Sequence, residues 1–114
     1  MKVELLYVRG CPHHGETRVL LRQVLDGANI AAAIEEIEVR GNDEAEALGF
    51  LGSPSIRIDG RDIEAGAGER RDFGMSCRVY ASEAGYSGVP PQEMIRDAMR
   101  ANTGAKTPGT RVEL

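Results

Sequence analysis

Tryptophan is absent from the sequence, and aromatic residues are scarce: three tyrosines and two phenylalanines, at Tyr7, Tyr80, Tyr86, Phe50 and Phe73. So few rings leave no stacking platform for single-stranded nucleic acid. Positive charge is also in deficit. Fourteen Lys and Arg stand against 18 Asp and Glu, a net charge of -4, so non-specific binding to a phosphate backbone has no electrostatic drive and no nucleic-acid partner is expected. Long hydrophobic runs are missing. The longest near the start, Leu5 to Val8, is too short for a signal-peptide core and far too short to span a bilayer, which predicts a cytoplasmic protein with no membrane partner. Cysteine occurs twice, as Cys11 and Cys77, with no Cys-x-x-Cys and no paired Cys/His knuckle. The ligand spacing of structural zinc is therefore lacking. In a reducing compartment two such cysteines rest as thiols, and their reactivity matters more than any cross-link.

What is present is the composition of one small globular domain, with 41% hydrophobic and 28% charged residues in a chain of 114; its core is expected to be small and mostly aliphatic. Val3-Glu4-Leu5-Leu6-Tyr7-Val8 is nearly continuous in apolar character, as expected of a central strand covered on both faces. Arg9-Gly10-Cys11-Pro12 interrupts it, and Thr17 to Ala28 carries Leu20, Leu21, Val24 and Leu25 at helical spacing. Beyond Asn29, Ile34 to Arg40 alternates as a half-exposed outer strand, with Glu35, Glu36 and Glu38 as its wet face. Asn42, Asp43 and Glu46 supply a helix cap, predicting a short helix over Glu44 to Phe50 closed by Gly49 or Gly52. Ile56-Arg57-Ile58, Asp59-Gly60 and Arg61-Asp62-Ile63 read as a β-hairpin. The Gly-rich stretch 65–91 is expected to be mainly loop, with a short extended piece over Cys77 to Tyr80. Pro90 or Pro91 then starts a helix with Met94, Ile95, Ala98 and Met99 on one face.

The order is β-α-β-(α)-β-β-α, with Cys11 at the first strand–helix junction and Pro54 just before the third strand. At that junction a sulfur faces free backbone N–H groups and the positive end of the helix dipole, both of which favour thiolate. His14 can pair with a thiolate or accept its proton. The plain alternative makes Cys11 a buried apolar residue and His13 and His14 exposed turn residues. Cys77 is either a second functional thiol, if 65–91 folds back over the first helix, or a lone cysteine packed under a loop. Cys11, His13, His14 and Cys77 together form a donor set suited to a thiophilic metal ion. Asp72-Phe73-Gly74 and Gly66-Ala67-Gly68 imitate kinase and dinucleotide motifs, but the rest of each signature is missing.

This arrangement resembles the thioredoxin fold over residues 2 to 64 and 90 to 102, on Gly10-Cys11-Pro12-His13-His14 and Ser53-Pro54-Ser55-Ile56. The resemblance implies an α/β thioredoxin-like domain over 1–102, with a four-stranded mixed sheet and 65–91 inserted before the last helix, followed by a flexible tail over 103–114. It also implies a cis Ser53-Pro54 bond beside the Cys11 sulfur. Pro12, His13, Ser53 and Pro54 would then contact substrate. That family places a second cysteine three residues after the first, where this chain has His14, so Cys77 would have to act as the distant resolving thiol. Residues 3–12, 50–60, 76–80 and 88–91 are also similar to a group of small bacterial thioredoxin-like proteins, some labelled alkylmercury lyase-like. That label implies a mercury-holding pair, Cys11 and Cys77, with Asp72 or Asp62 as the acid that protonates the leaving carbon. The expected substrate is accordingly a disulfide, an electrophile or a thiophilic metal, with a redox-inactive scaffold as the remaining reading.

Overall fold

The computed structural model describes residues 1–104. Its elements are β1 (Val3–Tyr7), α1 (His14–Gly27), β2 (Ile34–Glu38), α2 (Asn42–Leu48), β3 (Ser55–Ile58), β4 (Arg61–Asp62), a 3-10 turn (Ala67–Glu69), β5 (Tyr80–Ser82), β6 (Gly85–Ser87) and α3 (Gln92–Gly104). Strands β2-β1-β3-β4 form a mixed sheet in that order, with β1 parallel to β2 and antiparallel to β3, and β3 antiparallel to β4. Strand β1 is covered on both faces, as its apolar run requires. Val3 and Leu5 join Leu21, Val24 and Leu25 of α1, Ile56 and Ile58 of β3, and Ile95 and Met99 of α3 in one core. Leu6 points the other way, into a smaller core with Val39, Ala45 and Phe50. Helices α1 and α3 therefore cover one face of the sheet, and α2 with the chain that follows it covers the other.

Local chemistry explains the element ends. Helix α1 closes on Asn29 at φ 60°, with Asn29 N–H donating to Asp26 C=O and Ile30 N–H to Leu25 C=O. This is the Schellman pattern with Asn in the left-handed position. Helix α2 repeats it at Gly49, where Gly49 N–H donates to Glu46 C=O and Phe50 N–H to Ala45 C=O, so the stop also delivers Phe50 to the core. Asp59 and Gly60 both have positive φ, as a two-residue hairpin turn of the primed type needs. The Ser53-Pro54 bond is cis.

The structure differs from the sequence reading in four places. Helix α1 begins at His14, a turn before Thr17, because Thr17 N–H already reaches His13 C=O. The cap of α2 is not made by Asn42 or Asp43: Gly41 precedes the helix without a side-chain cap, and Glu44 instead accepts from Arg40 N–H. The 65–91 segment contains more order than a loop, namely the 3-10 turn and the β5–β6 hairpin. Thr103 and Gly104 belong to α3, and the rest of the expected tail, 105–114, lies outside the described residues.

Gly52 is where this segment meets the body of the fold. Its φ is +123°, and a Cβ there would lie 3.1 Å from both Arg78 Cβ and Ser76 C=O. A side chain would be strained by the backbone and crowded by the returning chain. Gly52→Ala is expected to destabilise the protein by about 1–3 kcal/mol in urea unfolding, with the slope unchanged; a loss below the error of the measurement would mean that the approach of residues 76–78 is not tight.

Candidate functional site

The β1–α1 junction is built by a tight turn. Cys11 N–H donates to Val8 C=O at 3.1 Å across Arg9-Gly10, and Gly10 takes φ +83°, the glycine-favouring third position of a type II turn. Cys11 C=O in turn accepts from His14 N–H at 3.3 Å, where α1 begins. Val8 N–H then donates to Ser53 Oγ at 3.0 Å, which ties the end of β1 to the residue before Pro54.

Ser53 is also the landing point of the inserted segment. Its N–H donates to Ser76 C=O at 2.9 Å and its C=O accepts from Arg78 N–H at 3.0 Å, so Cys77 pairs with Ser53 in a parallel bridge. One buried serine thus receives the chain leading to Cys11 through its side chain and the chain carrying Cys77 through its backbone. Cys11 is half-buried, Cys77 is exposed, and both are free thiols.

Arg78 anchors that bridge. Its side chain is 1% exposed, and it donates from Nη1 to Ser55 Oγ and Asp62 Oδ2 at 2.8 and 2.7 Å, and from Nη2 to Asp62 Oδ1 and Glu64 Oε1 at 2.8 Å each. The fork on Asp62 is the bidentate geometry that distinguishes arginine from lysine. Its guanidinium carbon lies 4.7 Å from the centre of the Tyr80 ring, within cation–π range. Burial works against the charge, but the hydrogen bonds to Asp62 and Glu64 outweigh it and hold the guanidinium above its ordinary pKa. Tyr80 is itself fully buried, and its hydroxyl donates to Pro54 C=O at 2.5 Å. Burial pushes its phenol up from the ordinary value, against the opposing pull of Arg78.

The two histidines diverge. His14 stacks on Tyr7, with ring centres 3.7 Å apart, and its Nε2 is 2.6 Å from Glu36 Oε1. Glu36 also holds Arg18 at 3.2 Å, so this residue of the strand's wet face is engaged by α1. Among the described residues, no hydrogen bond joins His14 or any other group to the Cys11 sulfur. His13 packs on Gly88, where a Cβ would come within 2.3 Å of its ring, and its Nδ1 lies 3.6 Å from Glu16. Pro12 is exposed at the rim and Pro54 is buried beneath Tyr80's hydroxyl. Asp72 is held by Arg70 through two hydrogen bonds, which keep its carboxyl below the ordinary range; Asp62 belongs to Arg78. No group of three or more His, Cys, Asp or Glu residues among the described residues could hold a metal ion.

Sequence reasoning named Cys11, Ser53 and Cys77 but not Arg78, Ser55, Glu64 and Tyr80, which pack around Ser53 and the Cys77 bridge. A signal existed in Asp62 and Glu64, two residues apart, and in Arg78 and Tyr80 at the same spacing, since such residues share a side of an extended chain. The chain matches no protein-family model, no curated protein and no solved structure.

Tyr80 supplies a pH test. An acid whose folded pKa is raised stays neutral while the unfolded chain ionises, so its contribution is complete below the ordinary tyrosine value of about 10 and is lost as pH rises beyond it. Stability should fall above about pH 10 with a component that Tyr80→Phe removes. Ultraviolet titration should find one late-ionising phenol in the parent and none in the variant; identical profiles would place Tyr80 in a solvated environment.

Proposed function

We propose that the protein is a thioredoxin-like dithiol protein in which Cys11 is the nucleophile and Cys77 the second thiol. The observation that carries this reading is the convergence on Ser53 of both cysteine-bearing segments, one through its Oγ and one through its backbone. The sheet order β2-β1-β3-β4, with Cys11 where β1 hands over to α1, supports the fold assignment.

In this reading the Cys11 thiolate attacks one sulfur of a substrate disulfide, forming a mixed disulfide and releasing the other sulfur as a thiolate. The Cys77 thiolate then attacks the Cys11 sulfur, and the substrate's remaining thiolate leaves. The substrate gains two electrons and the two protons given up by the protein thiols, and the protein is left with a Cys11–Cys77 disulfide. A small-molecule or protein dithiol restores it by the reverse exchange. His14 is held by Glu36 and Tyr7 at the helix start and, among the described residues, makes no hydrogen bond to the Cys11 sulfur, so it is not placed as a direct base on it. The organomercury reading is weaker, because Asp72 is kept ionised by Arg70 and Asp62 is committed to Arg78, which leaves neither suited to protonate a carbon.

Mild oxidation of the reduced protein should yield an intrachain bond between Cys11 and Cys77. Closing about 65 residues would stabilise the fold by on the order of 4 kcal/mol. Tm should rise accordingly, and Cys77→Ser and Cys11→Ser should each abolish the rise. A one-to-one stabilisation by Cu(I) or Hg(II), without bond formation under oxidant, would replace the redox role with metal binding. Two separately modified cysteines and no change in stability with either treatment would leave only a scaffold.

A further inference from the structure

A groove of about 770 Å3 runs between the β3–β4 hairpin, the C-terminal end of α2 and the chain from Glu64 to Phe73. Four arginines line it, Arg57, Arg61, Arg70 and Arg71, in a chain whose net charge is -4. Of the acids along it, Asp62 and Glu64 are turned to the buried Arg78. Arg70 is neutralised by Asp72 and Glu64. That leaves Arg57, Arg61 and Arg71 facing the groove against Glu69 alone.

Two of these guanidiniums are fixed at one end and open at the other. Arg57 donates from Nη2 to the carbonyls of Leu48 and Gly49, and among the described residues its Nη1 and Nε have no partner. Arg71 donates from Nη1 to the carbonyls of Gly68 and Arg70, and among the described residues its Nη2 and Nε have no partner. Pinning to backbone removes much of the side-chain entropy that a surface arginine loses on gripping a ligand, and the planar fork matches phosphoryl and carboxylate oxygens. The Arg61 side chain makes no hydrogen bond or ion pair among the described residues, although its backbone pairs with Ile58 in the β3–β4 ladder. Leu51 and Phe73 give the groove apolar lining beside the charge, the mixture usual in small-molecule sites.

From this we infer that the groove binds a small, multiply charged oxyanion, a molecule bearing phosphoryl or carboxylate groups, through Arg57, Arg61 and Arg71. The site is independent of the thiol chemistry.

Calorimetric titration at low salt with pyrophosphate and with citrate tests it. At least one probe should bind saturably at one-to-one stoichiometry; pyrophosphate alone identifies a phosphoryl ligand and citrate alone a carboxylate one. Arg61→Glu with Arg71→Glu removes charge-assisted hydrogen bonds to the ligand and adds repulsion, so it should weaken binding by at least about tenfold. Arg9→Glu with Arg96→Glu, the same charge change on other faces, should leave it within about twofold. Should the loss of the Arg71 backbone contacts unfold the double variant, Arg61→Glu alone should still weaken binding by about tenfold. Failure of both probes to saturate, or equal weakening by the control pair, would overturn the assignment.

Discussion

A guanidinium removed from water needs partners that replace its hydration, and Arg78 has nearly a full set. Asp62 grips it through both oxygens, Glu64 and Ser55 take two more hydrogen bonds, and the Tyr80 ring lies against it. Such a cluster is poor evidence for extra stability, since desolvation consumes much of the attraction. Its value is specificity. Leaving the cation buried without its carboxylates would cost several kcal/mol, so the chain path that buries residue 78 must bring it to the β3–β4 edge, where Asp62 and Glu64 meet it. That constraint fixes the insertion at residue 78, and Gly74 N–H on Phe50 C=O and the Tyr80 hydroxyl on Pro54 C=O tie it down on either side. With Arg78 fixed, its N–H meets Ser53 C=O, Ser76 C=O meets Ser53 N–H, and Cys77 between them is set at the start of β3.

The placement combines an anchored backbone with an accessible sulfur. Arg78 and Tyr80 are buried, while Cys77 and Val79 point to solvent, the alternation of an extended chain lying on a surface. A thiol held this way keeps its position and stays open to solvent, as the proposed role of a second thiol would require. Gly52, lacking a Cβ, lets the two chains approach closely enough for the bridge.

The elements legible in the sequence are those whose causes are local. The apolar run of β1, the helical spacing of Leu21, Val24 and Leu25, and Asp59-Gly60 each carry their own signal within a few residues. So does the position of Cys11 between strand and helix. The partners that frame the site are set by pairings of another kind: Arg78 with Ser55 is separated by 23 residues and with Asp62 by 16, and Tyr80 with Pro54 by 26. No periodicity reports such contacts, and an arginine in a glycine-rich stretch reads as surface. The start of α1 is illegible for a similar reason, because His13 and His14 look like turn residues until Tyr7, Glu36 and Gly88 are brought beside them.

Native-state hydrogen exchange, read at the Arg78 and Ser53 amides, tests most directly whether the Arg78 cluster holds the insertion in place. In the parent protein both amides should exchange slowly and together. In Arg78→Met both should speed up to open-loop rates, while the β1–β3 ladder amides stay protected. Unchanged protection of Ser53 and Arg78's neighbours in that variant, or fast exchange at these amides in the parent, would contradict it.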